Sequence, residues 1–409
     1  MRSFEVGGVP ETVVERSDYP LPKVRKILKN EKILVIGYGP QGRAQSLNLR
    51  DNGLNVFVCN RRDANYELAK KEGWKEGKTL LDNMSEAVQQ ATIILYLLND
   101  AAQKQCWPQI GPYLQPGAAI YFSHGFSIVY RDQTGVVPPS NVDVILVAPK
   151  GSGTTVRNLF KKGRGINCSF AVHQDATGNA RERCIAVGIG IGCGFLFETT
   201  FEKEVYSDLV GERGVLMGAI QGIFKAQYDL LRAKGHSPAE AFNETVEEGT
   251  QSLYPLIGEN GMDWMFSNCS ATAQRGALDW WSKFADAVKP VFESLYDEVA
   301  SGRETAHVLD CNSRADYVQD LRKDLDEIDG QEMWQIGKIV RELRPERQKA
   351  EKQAKPKKKA KAKPAVKKSK AKPKAKKKVK PAAKKTKAKK KAAPKKKAKS
   401  TSRKKSRRR

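Results

Sequence analysis

The chain has 409 residues and a formal net charge of +27, but that charge is distributed very unevenly. Residues 347–409, which we call the basic tail, hold 34 Lys and Arg against one acid, so they carry +33 and leave −6 for residues 1–346. The high isoelectric point therefore does not make the whole chain a nucleic-acid-binding protein. Residues 1–346 are a mildly acidic globular chain of a length typical of two domains.

The seven cysteines stand singly, with no C-x-x-C pair and no spacing typical of zinc ligands. We therefore expect them to be reduced and the protein to be cytoplasmic. The N-terminal stretch MRSFEVGGVPETVVERSDYP has acids and no apolar run, which is typical neither of a secretory signal nor of an Arg-rich transit peptide. No stretch reaches membrane-spanning length without a charge or a glycine, so we expect no membrane partner.

From Ile33 onward, short apolar runs alternate with amphipathic segments. The amphipathic segments have helical apolar spacing and end on polar residues or glycine, as crossover helices do. The pattern predicts buried parallel strands and a doubly wound α/β Rossmann domain over residues 1–196. The predicted strands are ILVI (33–36), NVFVC (55–59), TIILYLL (92–98), AAIYF (118–122), VDVILV (142–147) and CSFAV (168–172).

The pattern changes after the glycine-rich AVGIGIGCGF, where the strand runs stop and long helical patterns continue to about Arg344. We therefore predict an all-α domain over residues 197–346. The basic tail repeats Ala, Lys and Pro and has almost nothing apolar larger than valine. It cannot bury enough surface to offset the entropy of ordering, so we predict that it is disordered.

A glycine-rich turn follows the first predicted strand directly and opens a helical pattern. At the end of the second strand, where an NAD enzyme has an acid for the ribose hydroxyls, the chain has Arg61 and Arg62. Two guanidinium groups suit a 2′-phosphate, so the sequence predicts NADPH, although the neighbouring Asp63 could instead contact a ribose. The turn reads Gly37, Tyr38, Gly39, Pro40, Gln41, Gly42, the G-x-G-x-x-G spacing that lets a pyrophosphate approach a helix N-terminus.

Two pairs of acids stand four residues apart in the helical part of the sequence. Asp208 and Glu212 form the first pair, and Glu244 and Glu248 form the second. Four residues bring both carboxylates of a pair to one helix face, where like charges repel. A solvated acidic face would explain this spacing, and so would a site in which four carboxylates hold two Mg²⁺ ions. The spacing alone leaves both interpretations open.

A series of motifs runs through the sequence from Ile33 to Pro345. In order they are GYGPQGRAQSLNLRDNG, SHGF, VAPKGSG, FAVHQD, SDLVGERG, NETVEEG, NCSATAQRG and ELRPE. With these motifs the sequence resembles the ketol-acid reductoisomerase family, in its short form by length. The resemblance implies a Rossmann domain joined to a helical, knotted domain. It also implies an alkyl migration in a 2-hydroxy-2-alkyl-3-keto acid, followed by reduction with NADPH, in valine and isoleucine biosynthesis.

The resemblance also implies roles for individual residues. It places His124 beside the nicotinamide, and Lys150 near the metals, where Lys150 assists proton movement. It puts Glu212 between two Mg²⁺ ions and Ser270 against the substrate. The implied metal ligands are Asp208, Glu212, Glu244 and Glu248, and the implied cofactor contacts are Tyr38, Gly39, Pro40, Gln41, Arg61, Asp100, Gln103 and Gly153.

Two features depart from the family pattern. Counted without gaps from Arg61, the serines that usually help hold the 2′-phosphate are replaced by Ala64 and Tyr66, so the cofactor preference depends mainly on the arginines. The helical domain has one copy of the carboxylate set, as in the short form, although NETVEEG and NCSATAQRG look more like the long plant form. In the short form the second carboxylate pair and Ser270 come from a partner subunit, so we expect a homodimer or a higher oligomer.

Two other functional classes stay open on the sequence. The first is a scaffold, an inactive enzyme body that carries a nucleic-acid-binding tail. The repeated Ala, Lys and Pro of the tail support it, because they resemble the tails of H1-like histones. A segment with a charge of +33 attracts any polyanion, but it can equally be solvated and without a partner. The second is a β-hydroxyacid-type dehydrogenase, which shares the dinucleotide-binding half but needs no paired metal carboxylates.

Overall fold

The computed structural model describes residues 2–347, so the predicted disorder of the basic tail falls outside the described range from residue 348 onward. Within this range ten strands form one mixed sheet. They are β1 (Arg2–Val6), β2 (Val9–Glu15), β3 (Ile33–Ile36), β4 (Val56–Cys59), β5 (Leu80–Leu81), β6 (Ile93–Tyr96), β7 (Ala119–Phe122), β8 (Asp143–Pro149), β9 (Ile166–Gln174) and β10 (Cys193–Glu198). Their order across the sheet is β1-β2-β10-β9-β8-β7-β6-β3-β4-β5.

The centre of the sheet is parallel and has the strand order of a dinucleotide-binding fold. Strands β5, β4, β3, β6, β7 and β8 lie side by side and pair in parallel. This order reverses direction at β3, and ligands of such sheets bind outside the carboxyl ends of the strands at that point. The glycine-rich turn leaves β3 at this position, as the sequence predicts.

The run at 168–172 is a strand, but the prediction of a purely parallel sheet is wrong for it. Strand β9 pairs antiparallel with β8 and parallel with β10. A strand that is covered on both faces reads as a continuous apolar run in either direction, so the sequence does not reveal its orientation. The β1–β2 hairpin, whose side chains are mostly exposed, and β10, which begins inside the glycine-rich segment, were not predicted from the sequence.

Helices cover both faces of the sheet. Successive residues of β3 point to opposite faces, so Ile33 and Val35 pack on one side and Leu34 and Ile36 on the other. Both faces are buried, which explains the unbroken apolar runs. The helices of this part are α1 (Leu21–Ile27), α2 (Pro40–Asp51), α3 (Ala64–Lys71), α4 (Met84–Gln89), α5 (Asp100–Cys106), α6 (Phe126–Val129), α7 (Arg131–Thr134), α8 (Gly153–Lys161) and α9 (Ala180–Gly190).

The chain after β10 is helical in its described elements, which confirms a predicted all-α part. Its predicted start at residue 197 is wrong, because β10 continues to Glu198 and the first helix begins at Phe201. Three wider π-type turns, Glu212–Leu216, Asn243–Glu247 and Gly249–Leu253, interrupt its helices. The knot that the resemblance implies stays a prediction. The helices are α10 (Phe201–Gly211), α11 (Gly218–Ala233), α12 (Pro238–Phe242), α13 (Tyr254–Asn260), α14 (Met262–Ser267), α15 (Ala271–Ala300), α16 (Arg303–Ser313), α17 (Tyr317–Gly330) and α18 (Glu332–Leu343).

Large apolar side chains stand on the outside of the helical part. Trp280, Trp281 and Phe284 of α15 are each more than half exposed, at 56%, 58% and 59%. An apolar surface of this kind is typical of a face that packs against another protein. None of the helices formed by residues 2–347 combines the length and the apolar character that a membrane crossing requires.

Two cysteines form a disulfide, which corrects the expectation that all seven are reduced. Cys168 at the start of β9 is bonded to Cys193 at the start of β10, with their Cα atoms 6.0 Å apart. The two residues are 25 positions apart in sequence, and only the parallel pairing of their strands brings them together. Spacing rules that look for nearby cysteines therefore cannot detect the pair.

Candidate active site and cofactor site

The glycine-rich turn has the geometry of a pyrophosphate cradle. Gly37 has a φ of +95°, a conformation that side chains rarely adopt, and a Cβ there would lie 2.7 Å from the backbone oxygen of Leu97. A Cβ on Gly42 would lie 1.9 Å from the Gly37 oxygen, so the turn can fold back on α2 only with glycine at this position. Gly39 differs, because nothing lies within 4 Å of its Cβ position. It faces open space at the N-terminus of α2, where an anionic group is favoured.

A second turn, between β8 and α8, packs against the first. The Gln41 side chain donates to the backbone oxygen of Gly151 over 3.0 Å. A Cβ on Gly153 would lie 2.0 Å from the Pro40 oxygen, so the two backbones touch. Lys150 precedes this second turn, and its position is therefore fixed relative to the glycine-rich turn.

A cavity of about 480 Å³ lies over the carboxyl ends of β3, β4 and β6. Gly37, Gly39 and Arg61 line it, so it occupies the place that adenosine takes in a dinucleotide-binding fold. The Asn60 side chain accepts a hydrogen bond from the Tyr38 backbone over 3.0 Å and so joins the ends of β3 and β4. Asp63 caps α3 by accepting from its first backbone N–H groups.

The two predicted phosphate-binding arginines have different surroundings. Arg61 lines the cavity, is 85% exposed, and pairs with Asp63 over 3.0 Å. Arg62 pairs instead with Asp82 and Glu76, over 2.5 and 2.8 Å, and is not among the residues that line the cavity. Of the two guanidinium groups that motivated the NADPH prediction, only that of Arg61 therefore lines the adenosine cavity.

Two predicted cofactor residues turn their side chains into the core. The Tyr38 ring is buried, and its hydroxyl donates to Glu72 and accepts from the Trp74 indole, both over 2.8 Å. Gln103 is also buried and donates to the backbone oxygens of Tyr96 and Leu98. Tyr38 can therefore meet a cofactor through its backbone, whereas Gln103 supports the strand end beneath the cavity.

A compact polar cluster lies at the same edge of the sheet. The ligand atoms of His124, Glu204 and Asp208 lie within 4.8 Å of one another. His124 Nδ1 is 3.3 Å from a carboxylate oxygen of each acid. Lys150 Nζ lies 3.0 Å from Glu204 Oε1 and 3.7 Å from Asp208 Oδ1. Two cationic or protonatable groups from the sheet domain thus meet two carboxylates from α10.

Glu204 is the residue of this cluster that sequence analysis missed. Its side chain is only 1% exposed, and its two oxygens face Lys150 and His124. Burial alone would raise the pKa of this carboxyl, but His124 and Lys150 bring it below the usual value. Glu204, Asp208 and Glu212 are spaced i, i+4, i+8. Extending the acid pair by one turn toward the N-terminus would have found Glu204.

The acids of the cluster also change the pKa of His124. Burial lowers the pKa of His124, but the charges of Glu204, Asp100 and Asp208 outweigh this effect and raise that pKa to about 9. Burial raises the pKa of Asp100, and the charge of Asp208 acts in the same direction. Asp100, predicted to contact the cofactor, therefore lies within electrostatic reach of the acidic site.

Glu212 begins one of the π-type turns and is half-buried. Burial, and next the charge of Asp208, raise the pKa of its carboxyl. Crowded carboxylates of this kind are typical of sites for hard cations, which prefer oxygen ligands. His124 Nδ1 is also buried without an aligned hydrogen bond. The donor set fits a divalent cation at Asp208 and Glu212, whereas both oxygens of Glu204 are engaged by Lys150 and His124.

The remaining predicted site residues lie elsewhere in the single chain. Glu244 and Glu248 are exposed around the turn Asn243–Glu247, and neither belongs to the cluster around His124. Ser270 is exposed and caps α15 by accepting a hydrogen bond from the Ala273 backbone over 3.2 Å. One chain therefore brings together the first carboxylate pair with Lys150 and His124, but not the second pair.

Known proteins match both parts of the chain. The family model "Acetohydroxy acid isomeroreductase, NADPH-binding domain" matches residues 27–195, and "Ketol-acid reductoisomerase, C-terminal domain" matches residues 201–346. The ketol-acid reductoisomerase (NAD(+)) of Desulfosudis oleivorans is 60% identical over 353 residues, which cover 86% of this chain and 100% of the relative. The mitochondrial ketol-acid reductoisomerase of Neurospora crassa is 57% identical over 350 residues, 85% of this chain and 87% of the relative.

A solved structure gives the same result. The NADH-preferring ketol-acid reductoisomerase from an uncultured archaeon matches with a TM-score of 0.74 and 29% identity, over 82% of this chain and 99% of that chain. The dinucleotide-binding fold and the adjoining polar cluster define a nicotinamide-dependent oxidoreductase. The chain belongs to the ketol-acid reductoisomerase family, in its short form, and is an enzyme of branched-chain amino-acid biosynthesis. This assignment decides against a β-hydroxyacid-type dehydrogenase.

Proposed function

We propose that the enzyme converts 2-acetolactate or 2-aceto-2-hydroxybutyrate into the 2,3-dihydroxy-3-alkyl acid. The alkyl group leaves C2 for the carbonyl carbon C3 as the C2 hydroxyl loses a proton and the C3 oxygen gains one. The new C2 ketone is then reduced by hydride and its oxygen is protonated. The observation that carries this proposal is the meeting of Lys150, His124, Glu204 and Asp208 beside the glycine-rich turn. A reaction with both proton and hydride transfer requires such groups next to a nicotinamide site.

When bound, two Mg²⁺ ions would supply Lewis acidity at the substrate oxygens, and NADPH would supply the hydride. Asp208 and Glu212 would hold the metals from one chain. The open space at Gly39 and the backbone of the turn would take the pyrophosphate.

The chain's own proton-handling groups are Lys150 and His124. An ammonium group has three donors, and Glu204 occupies one of those of Lys150, so others remain for a substrate oxygen. Glu204 Oε2 also lies 3.3 Å from His124 Nδ1, where its charge favours the protonated ring. Because Glu204 is buried and is held by both groups, we assign it a positioning role rather than a direct contact with substrate.

We propose that the active enzyme is a homodimer in which Glu244, Glu248 and Ser270 complete the site of the partner subunit. The support is that these three residues are exposed and lie outside the cluster of their own chain. The exposed aromatic residues of α15, which Ser270 caps, provide an apolar surface for the contact.

We propose NADPH as the preferred cofactor. Arg61 on the wall of the adenosine cavity supports this preference, because a guanidinium group pairs well with a 2′-phosphate. Two of the similar proteins carry names that state NAD(+) or a preference for NADH. In this chain the choice between NADPH and NADH therefore depends on the residues around this cavity.

Mixed dimers test the proposed reaction and the shared site together. Asp208→Asn and Glu248→Gln should each abolish Mg²⁺-dependent oxidation of NADPH with 2-acetolactate. When the two inactive variants are refolded together, half of the dimers are mixed, and one site of each mixed dimer is intact. About a quarter of the wild-type activity should return. No recovery from a mixture shown to contain heterodimers would exclude the shared site, and wild-type protein without metal-dependent turnover would exclude the reaction.

We further propose that the basic tail binds nucleic acid weakly and without sequence preference, because its charge of +33 is concentrated in residues 347–409. Both family models end before or at residue 346, so the tail stands outside the part of the chain that they match.

The predicted cytoplasmic location stays a prediction, and the Neurospora relative is named as mitochondrial.

A further inference from the structure

The adenosine cavity has a wall that the dinucleotide-binding domain does not supply. The dinucleotide-binding domain lines the cavity in part with residues of α5, including Ala102 and Cys106. The other wall is formed by the segment that joins α16 to α17. This segment, which we call the 312–317 segment, contributes Asn312, Ser313, Arg314, Ala315 and Tyr317 to the cavity lining.

Arg314 is the cation of this wall. Its backbone is extended, directly after the end of α16, and its side chain pairs with Asp310 in the last turn of that helix. The arrangement parallels that of Arg61, which lines the same cavity and pairs with Asp63. Each domain thus contributes to the cavity one arginine that is held by a nearby carboxylate.

Such pairs at an exposed surface are weak, so a stronger anion can displace the carboxylate. A phosphate dianion carries more charge than a carboxylate and accepts paired hydrogen bonds from a guanidinium group. The part of NADPH that carries a phosphate on the adenosine side is the ribose 2′ position. Arg62, the other sequence-predicted candidate, is engaged by Asp82 and Glu76 and does not line the cavity.

We propose that Arg314 of the helical domain, together with Arg61, binds the 2′-phosphate of NADPH and is a determinant of cofactor preference. The inference rests on the proposed preference for NADPH and adds a residue to it from the other domain. The ligand class is an adenosine 2′-phosphate. Binding of this group would draw the 312–317 segment toward the Rossmann domain, so the two domains would share the cofactor.

The test compares two nucleotides that differ only at this phosphate. Adenosine 2′,5′-bisphosphate and 5′-AMP would be titrated calorimetrically into the full-length wild-type protein and into Arg61→Ala, Arg314→Ala and Arg322→Ala. Arg322 is a matched control, because it is an exposed arginine of α17 that pairs with Asp326 one turn later and lies outside the cavity lining.

We expect Arg314→Ala to weaken binding of the 2′,5′-bisphosphate about tenfold and to leave 5′-AMP binding unchanged, which is the size of one charge-assisted hydrogen bond. Arg322→Ala should change neither. The ratio of kcat/KM for NADPH to that for NADH should fall by a similar factor in Arg314→Ala, through KM rather than kcat.

Three results would count against the inference in distinguishable ways. If the wild type binds the two nucleotides equally, the NADPH preference is wrong, and with it this role for Arg314. If the wild type prefers the bisphosphate and Arg314→Ala keeps that preference, only the role of Arg314 is wrong. Equal weakening of both nucleotides would assign Arg314 to the adenosine itself rather than to its 2′-phosphate.

Discussion

Lys150 Nζ and Glu204 Oε1 lie 3.0 Å apart across the boundary between the two parts of the chain. Lys150 follows β8, whereas Glu204 is on α10, the first helix after the sheet. The two side chains differ in burial: that of Glu204 is 1% exposed, whereas that of Lys150 is 33% exposed. The buried Glu204 holds the Lys150 ammonium group in position, and the partly exposed Lys150 remains available to a ligand.

Replacing Glu204 should therefore impair catalysis more than folding. We expect Glu204→Gln to lower kcat about 10- to 100-fold, the range seen when a residue that orients a site is removed. The pKa of His124 should also fall toward its ordinary value, since Glu204 makes the largest contribution that raises it. Steady-state kinetics over a range of pH would check both effects. Glu202→Gln, an exposed acid two residues earlier, is the control, and equal losses in both variants would contradict the assignment.

Two glycines of the same turn should respond differently to alanine. In Gly39→Ala the added methyl group meets no protein atom, so we expect an unchanged melting temperature but a KM for NADPH at least about tenfold higher, from a clash with the pyrophosphate. In Gly42→Ala it meets the Gly37 oxygen, so the protein should lose about 1–3 kcal/mol of stability. Thermal denaturation and cofactor titration of the two variants separate these outcomes, and identical behaviour would refute this account of the turn.

The disulfide should be detectable and should stabilise the sheet. Unfolded, unreduced protein should expose five reactive thiols rather than seven, and a peptide joining Cys168 to Cys193 should appear in its digest. Closing a loop of 25 residues is worth about 3.5 kcal/mol in the chain-entropy model, so reductant should lower the urea midpoint. The variant Cys311→Ala, at a free cysteine on α16, should keep the same sensitivity to reductant. Seven reactive thiols would show that the bond is absent.

The basic tail should control retention on DNA but not catalysis. A protein ending at Glu346 should elute from immobilised DNA at low salt, whereas the full-length chain should need much more salt, since each released counterion steepens the salt dependence. Turnover of 2-acetolactate should be the same for both. Equal retention of the two proteins would exclude nucleic-acid binding by the tail.

Much of the fold could be predicted from the sequence, because apolar runs and glycine spacing are local signals. Each of the six apolar runs overlaps a strand, and the fingerprint turn follows β3. The antiparallel direction of β9 could not be predicted, since a strand buried on both faces has the same pattern either way. The Cys168–Cys193 bond depends on the pairing of two strands, which no local pattern encodes.

The site shows the same limit. Asp208 and Glu212 stand out by their spacing, but Glu204 looks like one more acid of an amphipathic helix until the sheet edge brings Lys150 and His124 to it. Arg62 looks like a phosphate ligand in the sequence, and only the positions of Asp82 and Glu76 show that it is engaged elsewhere. Arg314 gives no signal at all, because nothing in a loop between two helices points to a cavity in the other domain.

The contact between Gly153 and Pro40 limits where insertions and deletions can be tolerated. The two turns touch through their backbones, and Lys150 stands three residues before Gly153. An inserted or deleted residue in either turn would displace the cofactor cradle and the ammonium group together. We expect changes of length to be tolerated at the hairpin tip near Gly7 and Gly8, where a Cβ at either glycine would meet nothing within 4 Å, and to be rejected between residues 37 and 42 and between residues 150 and 153.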